Sequence, residues 1–311
     1  MGALGLALLL VLPAVLDAYT LTVFILIFFY AALAQSWNLI GGYAGQLSAG
    51  HAAFVGIGGY TAVLLFDRGV TPWVGMFVGA AVAAGLGAVI GYLGFRFGLR
   101  GFYFVLLTVA FAEICRILAS NIDAVGGAVG LYVTFTGDPR QFQFRDPRAY
   151  YYIALALMLL ATGVAALMER RRIGIYLTAI REDETACAAL GVDTFKYKML
   201  AMVASSFLTG LAGTFYAFQT FSLQPGSVFG IPLSVEILIR PIIGGAGTLL
   251  GPILGSFILT PLAELSRQYF GQSGLHGAHL IVYGLLLVAV VLFLPQGAYP
   301  SLRRLLKRGA A

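Results

Sequence analysis

The sequence predicts an all-α integral membrane protein, a polytopic helical bundle with about 8–10 membrane segments and Gly-rich broken helices. Three observations predict it. Hydrophobic residues make up 60% of the chain, charged residues only 10%, and mean hydropathy is +0.92, which is more apolar surface than a soluble core can use. Apolar runs recur at about the 20-residue length needed to cross a hydrocarbon layer about 30 Å thick. Forty glycines gather in part into two dense breaks, "IGGYAGQLSAGHAAFVGIGGY" at 40–60 and "IGGAGTLLGPILG" at 243–255.

Taken in chain order, residues 2–16 form a short first candidate, read as a membrane segment rather than a cleaved signal because no basic stretch precedes it. Runs of spanning length follow at 20–38, 50–66, 72–93, 102–120, 149–168, 199–218 and 279–294. The region 232–268 is long enough for two passages and is divided by "IIGGAGTLLGP". Pro252 lacks an amide hydrogen and suits a first helical turn, so a new helix is expected near Gly251. No polar linker divides the chain, and residues 1–311 read as one membrane domain.

Charge sets the expected sidedness. The net charge of +6 is concentrated: six basic residues lie between Arg170 and Lys198, and four more between Arg303 and Arg308. Such clusters beside spans mark cytoplasmic loops, whereas a nucleic-acid binder spreads a basic face over a folded polar surface, so no nucleic acid is expected. Crossing parity then places the loop holding Arg96 and Arg100 on the side of 169–198. It places residues 121–147 opposite and both termini in the cytoplasm.

Within the spans, Gly87 with Gly91, Gly94 with Gly98, and Gly210 near Gly213 offer small faces for close helix packing. Gln46, Ser48 and His51 stand in the first break, where lipid exposure would be costly. They read either as a polar patch on a translocation path or as a cap and interhelical hydrogen-bond cluster. Gly244 and Gly245 are the matching candidates in the second break, because irregular backbone survives at membrane depth only where protein or water satisfies it. Glu113 with Arg116 and Glu236 with Arg240 have helical-face spacing suited to ion pairs.

Enzyme chemistry finds little support. No H-E-x-x-H, G-x-S-x-G or P-loop pattern occurs, and Cys115 and Cys187 lack C-x-x-C partners, so no metal and no cofactor are expected in this chain. The charged interruption 169–198 reads instead as a docking element. A short helix over 182–190 would place Glu182, Asp183 and Glu184 in its first turn, carry an apolar strip of Ala186, Ala189 and Leu190, and end at Gly191. It is too short to stand alone in water and needs a surface to lie against. Asp193 or Thr194 can cap the following helix.

Three stretches, "NLIGGYAGQLSAGHAAFVGIGGYTA" at 38–62, "AIREDETACAALGVDTFKYKMLA" at 179–201 and "IIGGAGTLLGPILG" at 242–255, closely resemble the LivM-like permease subunit of branched-chain amino acid ABC transporters. The resemblance implies an inner-membrane permease working by alternating access beside a LivH-like permease, two cytoplasmic ATP-binding subunits and a periplasmic solute-binding protein. ATP and Mg would be bound by the partner subunits. By that similarity Glu184, Ala186 and Gly191 correspond to the Glu-Ala-Ala and glycine positions of the importer coupling loop, with Thr185 departing from the pattern. Two alternatives stay open at this point: a cation-coupled secondary transporter, and an ABC permease for urea or short amides.

Overall fold

The computed structural model describes Ala7, residues 9–272, Gly284 and residues 297–301. The expected segment at 279–294, apart from Gly284, and the basic tail at 303–308 lie outside the described residues. The elements are α1 (Ala18–Asn38), continued by a π-helical turn (Leu39–Tyr43), α2 (Ala52–Asp67), α3 (Pro72–Arg96), α4 (Phe102–Asn121), α5 (Pro147–Arg170), α6 (Arg172–Glu182), α7 (Glu184–Ala189), α8 (Thr194–Thr220), α9 (Pro225–Val228), α10 (Ile231–Gly244) and α11 (Gly251–Gln272). Leu131–Tyr132 (β1) and Ser222–Leu223 (β2) pair antiparallel, with Leu131 opposite Leu223.

Among the described residues, six helical stretches are long and apolar enough to cross a membrane: Ala18–Tyr43, Pro72–Arg96, Phe102–Asn121, Pro147–Arg170, Thr194–Thr220 and Pro225–Gly244. The chain is thus a polytopic membrane bundle. Local signals fix many boundaries. Asp17 accepts the Thr20 amide and hydroxyl at the start of α1, Asp146 accepts the Arg148 amide at the start of α5, and prolines occupy the first turns of α3, α5 and α10. As expected from Pro252, α11 begins at Gly251.

α8 is the core of the bundle, packed on α3, α2 and α1, while α1 also meets α5, α10 and α11. Lipid supplies no hydrophobic drive for this association, so close backbone approach must supply it. At the crossing of α2, α3 and α8, a Cβ on Gly58 would lie 2.2 Å from the Gly210 carbonyl oxygen, and one on Gly79 would lie 2.5 Å from the Gly58 oxygen. Gly213 meets the Val55 backbone as closely, while Gly87 and Gly91 pack against the Ser206 and Met199 side chains. Gly98 departs from the expected small face: it has φ +67° with nothing near it, and it terminates α3 while Gly94 packs on Phe104.

The bundle has two recognisable ends. One carries the loops at 67–72 and 138–142 and the β1–β2 pair. The other gathers both glycine breaks, Arg100, α6 and α7, which puts Arg100 beside 169–198 as crossing parity requires. α10 runs to that end and α11 leaves from it; of the two, only the stretch Pro225–Gly244 is among the six long and apolar enough to cross a membrane.

Candidate functional site

The first break leaves helix after the π-helical turn and re-enters it at α2. Its backbone is held from several sides: the Trp37 indole donates to Ser48 O at 2.7 Å, the Ala49 amide donates to Thr108 Oγ1 at 3.1 Å, and the Ala52 amide donates to Ser234 Oγ at 3.0 Å. His51 is fully buried, with Nδ1 2.8 Å from Ser48 Oγ and Nε2 2.9 Å from Ser205 Oγ. Because the Ser205 hydroxyl donates to Ser36 O at 2.7 Å, it must accept from His51 Nε2–H, while Nδ1 meets the Ser48 hydroxyl, which can donate or accept. His51 is therefore a fully partnered tie between α1, α2 and α8. Gln46 differs: its Oε1 is buried and has no hydrogen-bond partner among the described residues.

The second break is a compact turn. The Asn38 side chain donates to Thr248 O at 3.0 Å and accepts the Gly247 amide at 2.8 Å, while Thr248 Oγ1 donates to Gly245 O and accepts from the Gly251 amide. Gly245 and Gly247 have φ of +118° and +75°, a region that L side chains rarely adopt. Asn38 thus joins the two breaks directly.

Arg181, at the end of α6, adds a second link. It donates to Gly42 O at 2.9 Å, and its stem passes so close to Gly45, and its guanidinium to Gly247, that a Cβ on either glycine would collide with it. Gln46, Arg100, Arg181 and Glu184 border a cavity of about 270 Å³ between the first break and α7.

The helix expected over 182–190 is two pieces. Glu182 ends α6, and Asp183 is the cap, accepting the Thr185 and Ala186 amides at 2.8 and 2.9 Å, so only Glu184 of the three acids lies in the first turn of α7. Gly191, at φ +83°, closes α7: its amide donates to Ala188 O and the Val192 amide donates to Cys187 O. Asp193 caps α8 by accepting the Lys196 amide at 3.0 Å.

Glu184 points inward. One oxygen pairs with the buried Lys198 ammonium and the other lies 3.2 Å from Arg100 Nε, while Lys198 also stands 4.8 Å over the Phe95 ring. Cys187 is buried as well. Ala186, Ala189 and Leu190 face outward, Leu190 being 84% exposed. The sequence singles out neither Arg181 nor Asn38, and it places Lys198 near the membrane surface, where the structure instead buries it against Glu184. A lysine just inside an apolar run was the one available signal, since such a charge needs a partner. Among the described residues no group of three or more His, Cys, Asp or Glu is placed to hold a metal.

Residues 19–291 match the family model described as the branched-chain amino acid transport system / permease component. The chain is 30% identical to the high-affinity branched-chain amino acid transport system permease protein LivM of Escherichia coli K12, over 96% of this chain and 75% of that protein. It is 30% identical to the LivM protein of Salmonella typhimurium LT2, over 89% and 69%. It is 25% identical to a probable branched-chain amino acid transport permease protein, LivH, of Methanocaldococcus jannaschii, over 80% and 83%. No solved structure matches. With a family model spanning most of the chain and a bundle of apolar helices built to cross a membrane, this polypeptide belongs to the branched-chain amino acid transport permease family and is a non-catalytic, polytopic inner-membrane permease.

Proposed function

We propose that the chain provides the translocation path of an ATP-driven importer of branched-chain amino acids and works by alternating access. Its partners would be a LivH-like permease, two cytoplasmic subunits that bind ATP and Mg, and a periplasmic solute-binding protein. Residues 169–198 are the cytoplasmic coupling loop, and both termini lie in the cytoplasm.

The observation that carries this reading is the mounting of α7. A short helix with an exposed Ala186, Ala189 and Leu190 face is tied by Glu184 to Lys198 and Arg100, and through Arg181 the preceding helix touches both glycine breaks. Force applied to α7 reaches α8 through a largely desolvated ion pair, and removing one member of such a pair typically costs about 3–5 kcal/mol. The Glu182, Asp183 and Glu184 carboxylates then divide in role: Asp183 shapes the helix, Glu184 anchors it, and Glu182 stays at the rim beside Arg181. Docking falls to the outward strip. Gly244 and Gly245 serve as a hinge, and Ser48 and His51 as the brace of the opposing break. Gln46, at the cavity edge, is the member of that group left to meet solute or water. An exchange of states driven by the motor is required, because a site of equal affinity in both states moves nothing uphill.

The test is a reconstituted complex. Leu190→Asp and Ala189→Asp are expected to reduce solute-stimulated ATP hydrolysis at least about fivefold with membrane insertion intact, an interface loss of about 1 kcal/mol. Unchanged stimulation removes the docking role. Leucine uptake by this chain under an ion gradient with no ATPase present removes the importer reading altogether.

A further inference from the structure

Two Glu–Arg pairs with helical-face spacing occur in the spans, and the structure treats them oppositely. Arg240 is fully buried, paired with Glu236 and stacked 3.6 Å from the Tyr30 ring centroid, as a locked interior tie. Glu113 and Arg116 lie on the outside of α4, with side chains 42% and 36% exposed. Among the described residues, α4 is also the least covered of the six spans, with 28% of its most apolar stretch buried against 67% for α8. Glu113 stands near the middle of α4, too far from either end for a carboxylate to reach the interface. An ion pair is costly in hydrocarbon at that depth, and intramembrane charges of this kind face protein or a water-filled cavity.

The pair itself is a fork. Arg116 Nε donates to Glu113 Oε2 at 2.8 Å and a terminal amine donates to Oε1 at 2.5 Å. Its neighbours on the exposed side are Leu106, Ala110, Ile114 and Ile117, all aliphatic. One anion, one cation and a greasy surround form the complement of an aliphatic amino acid, whose ammonium and carboxylate are separated by a single carbon.

We infer that Glu113 and Arg116 form a station for zwitterionic solute on a water-filled path along the exposed face of α4. Glu113 receives the solute ammonium, Arg116 receives the solute carboxylate, and the aliphatic side chain rests on Leu106, Ile114 and Ile117. The pair and the solute are each neutral, so two new ion pairs replace one pair and a hydrated zwitterion without leaving net charge in the membrane. The pair closing on itself releases the solute. This assignment rests on the transport reading above but not on its energy source.

Two measurements test it in the assembled complex. Ala110→Cys, one turn from Glu113 on the same face, is placed in a Cys115→Ser, Cys187→Ser background and treated with a membrane-impermeant maleimide. Labelling that slows at least threefold in the presence of leucine is expected, and absence of labelling overturns the water-filled path. The double variant Glu113→Leu, Arg116→Leu removes both charges together, which a purely structural ion pair tolerates. Leucine uptake is expected to fall at least tenfold with the complex still assembling, and wild-type uptake by that variant overturns the station. Uptake that is driven by an ion gradient yet lost in the double variant would sink the ATP-driven reading and leave this one standing.

Discussion

Between residues 48 and 52 the first break is held from four surrounding helices, by Trp37, Thr108 and Ser234 on its backbone and by Ser205 on the His51 side chain, whereas between 245 and 250 the chain turns on itself with Asn38 as an external tie. Both breaks lie within the bundle, and both leave amides and carbonyls that lipid cannot satisfy. The first solves this with polar side chains at fixed positions, which makes it a brace. The second solves it with glycine conformations and a threonine, which leaves few side chains to rearrange and suits a hinge. Their meeting at Asn38 and Arg181 means that neither moves without the other.

The largest effect expected is from overpacking either break at its tightest backbone contact. A Cβ at Gly244 would lie 1.7 Å from Gly251 O, and one at Gly50 would lie 1.9 Å from Thr108 O. Neither clash can be relieved by a rotamer, so Gly244→Val and Gly50→Val should each lose about 3 kcal/mol or more in denaturant titrations of the detergent-solubilised protein. A mild effect at Gly244 alone would show that the hinge already yields.

Next come the polar ties. Asn38→Leu strands both the Gly247 amide and the Thr248 carbonyl, an expected loss of about 2–4 kcal/mol. His51→Leu strands mainly the Ser48 hydroxyl, because Ser205 keeps its bond to Ser36, and about 1–2 kcal/mol is expected by the same titration. The reverse order would mean that the brace, not the hinge, joins the breaks.

Arg181→Met keeps the apolar stem and removes the bond to Gly42, so stability should fall by only about 1 kcal/mol. Solute-stimulated ATP hydrolysis should fall more sharply than stability, since the link between α6 and both breaks is cut; equal losses would assign Arg181 to folding alone. The smallest changes belong to Gly85→Ala and Gly163→Ala, helical positions with open space around them. Each should stabilise by up to about 1 kcal/mol, and a thermal shift measurement separates these compositional glycines from those that packing requires.

Much of this was legible in the residues. Apolar runs gave the helices α1 to α5, α8, α10 and α11 to within a few positions, because a bilayer imposes a length on apolar stretches, although α2 and α11 are not among the six that meet it. Asp193 as a cap, Gly191 as a terminator and Pro252 in a first turn followed from backbone chemistry that acts within a few neighbours. The same locality explains the misreadings: Asp183 took the cap position and split a helix that charge pattern alone had drawn as continuous, and Gly98 proved a turn rather than a packing face.

What the chain alone determined is therefore its membrane character, its helix ends and the isolation of one charged loop, all properties of short windows. Only the tertiary structure decided that Glu184 faces inward to Lys198 and Arg100, that Asn38 spans more than two hundred residues to close the second break, and that Glu113–Arg116 lies outside while Glu236–Arg240 lies within. Spacing along a helix fixes which residues share a face, but what that face meets depends on how distant helices stack, and no local energy term carries that information.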